Sequence, residues 1–446
     1  MKPTERQPLR KVLIPLLPLC LIVASAGLAG SLTSCSDGPD VQLKGPHDIA
    51  SQPVPLGPDM DDSPLPGPPE VRVRLLSRPV QTVRIGCTGA ATMTADDRPL
   101  FASETRMPQL NIARQGGAWT IATRTLEADR LELTGADGQF LQVMVDGKMR
   151  AYRGRIRLAA TGAESMEIIN LVDMDSYVAG VLAEELYGSW HIEAYRALAI
   201  AARSHAWYFV LRGGRGNWDV NDDTSSQVYG GIEAETSKSR AAAAETAGQV
   251  LTYTFRGQRM LFLAHYSSSC GGRVNPAEAI RPAAAIPPLI GGGVCNDCNQ
   301  PGNRKHRWAP VTVEKARIFR ALVAHDRKLY APLSVLREIR VTRATRWGRP
   351  IWLRLIGSGQ ITRDIRADDL RLVLIQSLPE AKGLYSMNCR LIDRGLSVEF
   401  TGGGGFGHGV GLCQWGAQGK AIKGYRGEQI LAFYYPEAQI YQAWRR

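Results

Sequence analysis

In residues 402–416 eight of fifteen positions are glycine, and this segment constrains the fold more than any other. Glycine enters the positive-φ region without steric cost, so so dense a run marks tight turns or close approach of the backbone to another group. It is not a phosphate-binding loop, because no Gly-Lys-Ser/Thr follows. Held on this backbone, His408 and Gln414 are placed to face a cleft, and Trp415 offers a flat ring for stacking. The plainer alternative is a tightly packed turn in which His408 is a structural hydrogen-bond donor.

The other end of the chain sets the compartment. Lys2, Arg6, Arg10 and Lys11 precede an uncharged stretch over residues 12–30 that closes on Leu32-Thr33-Ser34-Cys35. Pro15, Pro18 and the small-residue tail suit a signal peptide better than a transmembrane span. The closing tetrapeptide resembles the bacterial lipobox, which implies removal of residues 1–34 and acylation of Cys35. A plain secretory signal with a chance cysteine is the alternative. Burial of acyl chains contributes ~0.8 kcal/mol per methylene, so the product is expected to be exported and membrane-anchored, on the periplasmic side or the outer surface of the cytoplasmic membrane. Residues 35–70 follow as a tether: nine prolines and no long apolar run predict a disordered or polyproline-like segment. Extended at ~3.1 Å per residue, it reaches about 110 Å.

The formal charge is +12, of which the first 34 residues carry +3, leaving about +9 on the remainder. A basic surface favours anionic partners. No block of Lys and Arg with interleaved aromatics is present, which argues against nucleic acid.

Residues 71–170 alternate apolar and polar side chains, as in Val71-Arg72-Val73-Arg74-Leu75, and predict a β-rich lobe. A helical core is expected over 171–275. Its first helix starts with Asp175 or Ser176 as N-cap and carries Tyr177, Val178, Val181, Leu182 and Leu186 on one stripe. A second helix runs from Ile192 to Leu211 and stops at Gly213-Gly214, with alanines for close packing and Glu193, Arg196 and Arg203 on one face. A Cys/His insert over 276–310, a β-rich part over 311–400, and the glycine-rich motif with short helices over 401–440 complete the body. The fold class is α+β, with β-rich lobes around a central helical pair.

Six cysteines lie beyond the anchor: Cys87, Cys270, Cys295, Cys298, Cys389 and Cys413. The spacing of Cys270, Cys295, Cys298 and His306 suits a structural zinc tetrahedron. A disulfide with spare thiols suits an exported chain equally, and the sequence leaves the two open.

Glu185 lies three residues after Leu182 and four after Val181, which turns it toward the apolar stripe, whereas Glu184 points about 100° away. Burial raises a carboxylate's pKa and keeps a proton available near neutrality, as a general acid requires. The alternative is a helix-end glutamate that reaches solvent. Residues 222–231, which include Ser226, Gln227 and Tyr229, group hydroxyls, an amide and a phenol; residues 265–272, which include Ser268, are similar. Such groups suit sugar recognition, though ordinary turns share that composition.

These segments, in this order, resemble the SpoIID/LytB family of stage II sporulation protein D and the amidase enhancer. The resemblance runs through residues 175–186, Trp190, Glu193-Ala194, Ala199-Ile200-Ala201-Ala202-Arg203, Ser226-Gln227-Val228-Tyr229, Ser268-Ser269-Cys270-Gly271-Gly272, Gly407-His408-Gly409-Val410-Gly411 and Gln414-Trp415-Gly416-Ala417. It implies action on peptidoglycan glycan strands as a lytic transglycosylase, with Glu185 as the acid/base residue. Arg203, Ser226, Gln227, Tyr229, Ser268, His408, Gln414 and Trp415 fall on the implied substrate side. No cofactor is required by that reaction. The resemblance equally implies a non-catalytic alternative, a wall-binding enhancer of a cell-wall amidase. The chain departs from the family at Leu186-Tyr187, where Met-Pro is usual, and at Leu198, where the family has glutamine.

Overall fold

The structure is a computed structural model that describes residues 58, 60, 63–280 and 285–445. The signal peptide, Cys35 and most of the expected tether lie outside the described residues. With 28% helix and 36% strand the protein is mixed α+β.

The alternation that begins at Val71 becomes the strand Glu70–Val80, with Val71, Val73 and Leu75 buried on one face. It pairs antiparallel with Ser165–Asp173 and parallel with the short strand Val220–Asn221, inside a seven-stranded sheet. A six-stranded sheet is built on Thr82–Cys87, which pairs with Leu110–Gln115 and Leu141–Val145. The inward residues of both sheets belong to one hydrophobic cluster that continues into the helices.

Eight α-helices occur among the described residues: α1 (Met174–Glu185), α2 (Ile192–Leu211), α3 (Ser237–Glu245), α4 (Lys315–His325), α5 (Arg327–Tyr330), α6 (Ala367–Ser377), α7 (Gln414–Ile422) and α8 (Gly427–Tyr434). None is long and apolar enough to cross a membrane. α2 has the expected bounds. Its stop is a glycine pair at φ 79° and 65°, whose amides bond back to the Val210 and Phe209 carbonyls. Its alanines at 194, 197, 199, 201, 202 and 206 are all fully buried, which lets α1, α3, α7 and α8 pack around it.

The cap of α1 differs from expectation. Asp173 is the N-cap, accepting from the Asp175 and Ser176 amides at 3.1 and 2.9 Å. Asp175 is thereby free to accept from Arg203 Nε at 2.9 Å and from Trp444 Nε1 at 3.1 Å. That contact also carries the body past residue 440. The strand Gln439–Gln442 joins Gln249–Phe255, and Trp444 is fully buried.

Two further expectations are corrected. The last part of the tether is ordered: Met60 N donates to Arg259 O, and Leu65 exchanges backbone hydrogen bonds with Ala443 and Arg445. Proline removes amides, but the remaining ones found partners on neighbouring strands. Residues 311–400 are not only β-rich. Two three-stranded sheets share the lobe with α4, α5 and α6, over a second cluster that includes Ile318, Leu322, Leu353, Leu355, Leu370, Leu374 and Phe400.

Candidate active site

α1 ends at Glu185, and the extended backbone of Leu186 closes the helix there. Glu185 is half-buried while Glu184 is exposed, the split that helical periodicity implies. One carboxylate oxygen of Glu185 accepts from Gln414 Nε2 at 2.7 Å; the other accepts from Val228 N at 3.3 Å. Burial raises the Glu185 pKa above the ordinary glutamate value, and the donors Gln414, Val228 and Tyr266 oppose that rise without cancelling it.

Gln414 reaches this position through a two-stranded parallel ladder. Tyr266 pairs with Leu412 and Ser267 with Cys413, so the residue after Cys413 emerges at the first turn of α7. The ladder needs backbone contact that a side chain would block: a Cβ on Gly411, at φ 67°, would lie 1.9 Å from the His265 carbonyl oxygen. Behind the carboxylate, Gln227 is fully buried. It accepts from the Tyr177 hydroxyl at 3.2 Å and donates to the Tyr266 hydroxyl at 2.8 Å. Burial without such partners would be costly, so this network also fixes where Tyr266 sits beside Glu185.

Tyr187, two residues after Glu185, meets Trp190 and Trp415, the residue after Gln414. Tyr187, Trp190 and Trp415 lie with centroids 4.9 to 5.7 Å apart, and Tyr187 is 61% exposed. The Tyr187 edge of this tilted aromatic cluster therefore faces solvent, two residues from a protonatable carboxyl group. Trp415 is an expected site residue, whereas Tyr187 is not; its place two residues after Glu185 is the signal the sequence offers.

The remaining candidates fall into different roles. Arg203 is fully buried and pairs with Asp175 at 2.9 Å. It also donates to the carbonyls of Ala199, Ala243 and Gln249, tying α2 to α3 and the following strand. It has no surface to offer a ligand, which corrects its expected substrate-binding role. Tyr229 is buried and donates to Asn170 Oδ1 at 2.9 Å, its ring lying against Gly180, where a Cβ would come within 2.7 Å of it. It too supports the fold rather than touching a ligand. Ser226 is half-buried and its hydroxyl accepts from Asn221 N at 3.1 Å, within its own loop. Ser268 is half-buried, and its carbonyl accepts from Trp415 N at 3.1 Å. His408 is also half-buried; its Nδ1 accepts from Val410 N at 3.0 Å, and burial together with the nearby Arg349 lowers its pKa to about 4. The ring is therefore neutral at physiological pH and held by its own loop, as an acceptor rather than the donor that the plainer alternative expects.

The four sulfurs of Cys270, Cys295, Cys298 and Cys413 lie within 4.8 Å of one another, all buried. His306 stands beside this group, its Nδ1 3.2 Å from Cys298 Sγ. Cys413, not His306, is the fourth member of the quartet.

A carboxyl group with a raised pKa, held by an amide and followed by exposed aromatic surface, is able to exchange a proton with a ligand that reaches it. Comparison with known proteins agrees with the motifs. The family model described as SpoIID, stage II sporulation protein, matches residues 162–253, from the end of the β-lobe through α1, α2 and α3. An uncharacterised protein of Brachyspira hyodysenteriae is 28% identical over 278 residues, 62% of this chain and 69% of its own length. The stage II sporulation protein D of Bacillus subtilis is 28% identical over 302 residues, 64% of this chain and 78% of that protein. The amidase enhancer of the same organism is 24% identical over 287 residues, 58% of this chain but only 39% of its own greater length. Over these residues the chain is similar to the SpoIID/LytB family, whose named members are stage II sporulation protein D and the amidase enhancer.

Proposed function

We propose that the protein acts on peptidoglycan as a lytic transglycosylase, anchored to the membrane through Cys35 and facing the cell wall. The observation that carries this reading is the Glu185 carboxyl group, half-buried with a raised pKa, held by Gln414 and adjoined in sequence by the aromatic cluster of Tyr187, Trp190 and Trp415. A glycan strand lying on the aromatic cluster presents a glycosidic oxygen to Glu185. Glu185 donates its proton to that oxygen as the bond to C1 of the muramic acid breaks. The 6-hydroxyl of the same sugar then bonds to C1 and gives its proton to the Glu185 carboxylate. The product is a 1,6-anhydro ring, and the glutamate ends in its starting state. One carboxyl group serves as acid and then base, and no activated water enters, unlike the pair of carboxylates in ordinary glycosidases. Gln414 steadies the ionised form midway and orients the carboxyl plane.

Similarity to an amidase enhancer favours a second reading, a wall-binding partner that stimulates a cell-wall amidase without cutting glycan itself. Digestion of strands stripped of their peptide stems separates the two. New chain ends that disappear in Glu185→Gln support cleavage; intact strands, with stimulation appearing only when an amidase is added, support the enhancer.

A further inference from the structure

We propose that Cys270, Cys295, Cys298 and Cys413 hold a structural zinc ion that locks the start of α7 against the rest of the body. The assignment stands independently of glycan cleavage.

The geometry suits an ion better than a disulfide. A tetrahedral zinc with arms of about 2.3 Å sets its sulfurs about 3.8 Å apart. Cys270 Sγ and Cys298 Sγ are 3.7 Å apart, and all four sulfurs fall within 4.8 Å of one another. A disulfide would need about 2.05 Å and would join only two of the four. Four soft sulfur donors in a closed, buried set suit a single zinc or iron ion, and the role is structural rather than catalytic, since no coordination position is left for water.

The surroundings are arranged for sulfur carrying negative charge. The Cys270 and Gly416 amides both donate to Cys413 Sγ at 3.3 Å. The Tyr434 hydroxyl is 3.1 Å from Cys295 Sγ, and His306 Nδ1 is 3.2 Å from Cys298 Sγ. These contacts place His306 as a partner of a ligand, which orients the sulfur without binding the ion. Room for the quartet comes from α7. A Cβ on Gly416 would fall 2.5 Å from Cys295 Sγ, and one on Gly419 would fall 2.1 Å from the Asp297 carbonyl oxygen.

An ion here joins three distant parts of the chain: the end of the Tyr266–Ser267 strand, the Cys295–Cys298 turn and the cap of α7. Cys413 is both ligand and N-cap, and the next residue is Gln414. The ion therefore sets the position of the side chain that clamps Glu185.

The test is metal analysis of the full chain, purified in detergent without chelator. Plasma mass spectrometry is expected to find about one zinc per chain, lost in Cys413→Ser and retained in His306→Ala. Because Cys413→Ser is also prone to misfold, cobalt(II) exchanged into the unaltered protein gives a second readout. Its absorption is expected to be that of a tetrahedral four-sulfur site, unchanged in His306→Ala. Zinc-free protein whose intact mass shows oxidised cysteine pairs would overturn the proposal, as would loss of the ion in His306→Ala.

Discussion

The two largest hydrophobic clusters among the described residues are built on different plans. The lobe over residues 311–400 closes on aliphatic side chains such as Leu353, Leu355, Leu370 and Leu374. The cluster around α2 instead encloses Arg203, Gln227, Gln414 and four cysteines among alanines and glycines. Burying polar groups costs free energy unless each is paired, and here most are: Arg203 with Asp175, Gln227 with two tyrosines, Gln414 with Glu185. Such a cluster gains little stability over an apolar one, so its retention points to the chemistry it positions. The 311–400 lobe buries fewer polar groups, Arg349 and Arg371 on Asp368 and Lys315 on Asp393, and none of them reaches Glu185.

That contrast predicts opposite responses to substitution. The largest effect is expected from Glu185→Gln, which keeps the shape but removes the transferable proton. Glycan cleavage should fall by roughly 10²–10⁴-fold with little change in melting temperature, read by product analysis and calorimetry on one preparation. Arg203→Met should do the reverse. It strips Asp175 of its buried partner and leaves several carbonyls without a donor, at a cost of about 3–5 kcal/mol in urea unfolding. Leu370→Ala, in the aliphatic lobe, should lower stability by about 2–5 kcal/mol while the cleavage rate of the remaining folded protein stays the same. A large loss of rate there would break the division between the two clusters. Gly180→Ala is expected to cost about 1–3 kcal/mol by overpacking against the Tyr229 ring.

The smallest effect is a dependence on pH. Burial holds the Glu185 pKa above the ordinary glutamate value, so the folded state favours the protonated form. Its contribution to stability is complete below the ordinary value and fades as pH rises through the folded one. Urea midpoints of the unaltered protein and Glu185→Gln should therefore shift in favour of the variant between pH 4 and pH 8. Cleavage should lose its acid over the same rise.

Much of this arrangement was legible in the residues, for reasons the structure makes plain. Period-two alternation marked the first strand because one of its faces is buried, and the bounds of α2 followed from its glycine stop. Glu185 was separable from Glu184 because helical spacing decides which of two adjacent carboxylates turns inward. Arg203 was misplaced because charged helix residues usually reach solvent, and the alanines that let α3 close over it act only in three dimensions. α4 and α6 went unseen because strand alternation on either side, as in Ile339-Arg340-Val341, dominated the pattern. Cys413 was missed as a partner of Cys298 because spacing rules see only near neighbours, whereas the parallel ladder beside Tyr266 brings the two together.

Mass spectrometry of products from purified glycan strands lacking peptide stems tests the central claim most directly. Fragments ending in 1,6-anhydro-muramic acid are expected from the unaltered full chain and none from Glu185→Gln. Strands left intact by the unaltered protein, or fragments with hydrolysed reducing ends, would contradict it.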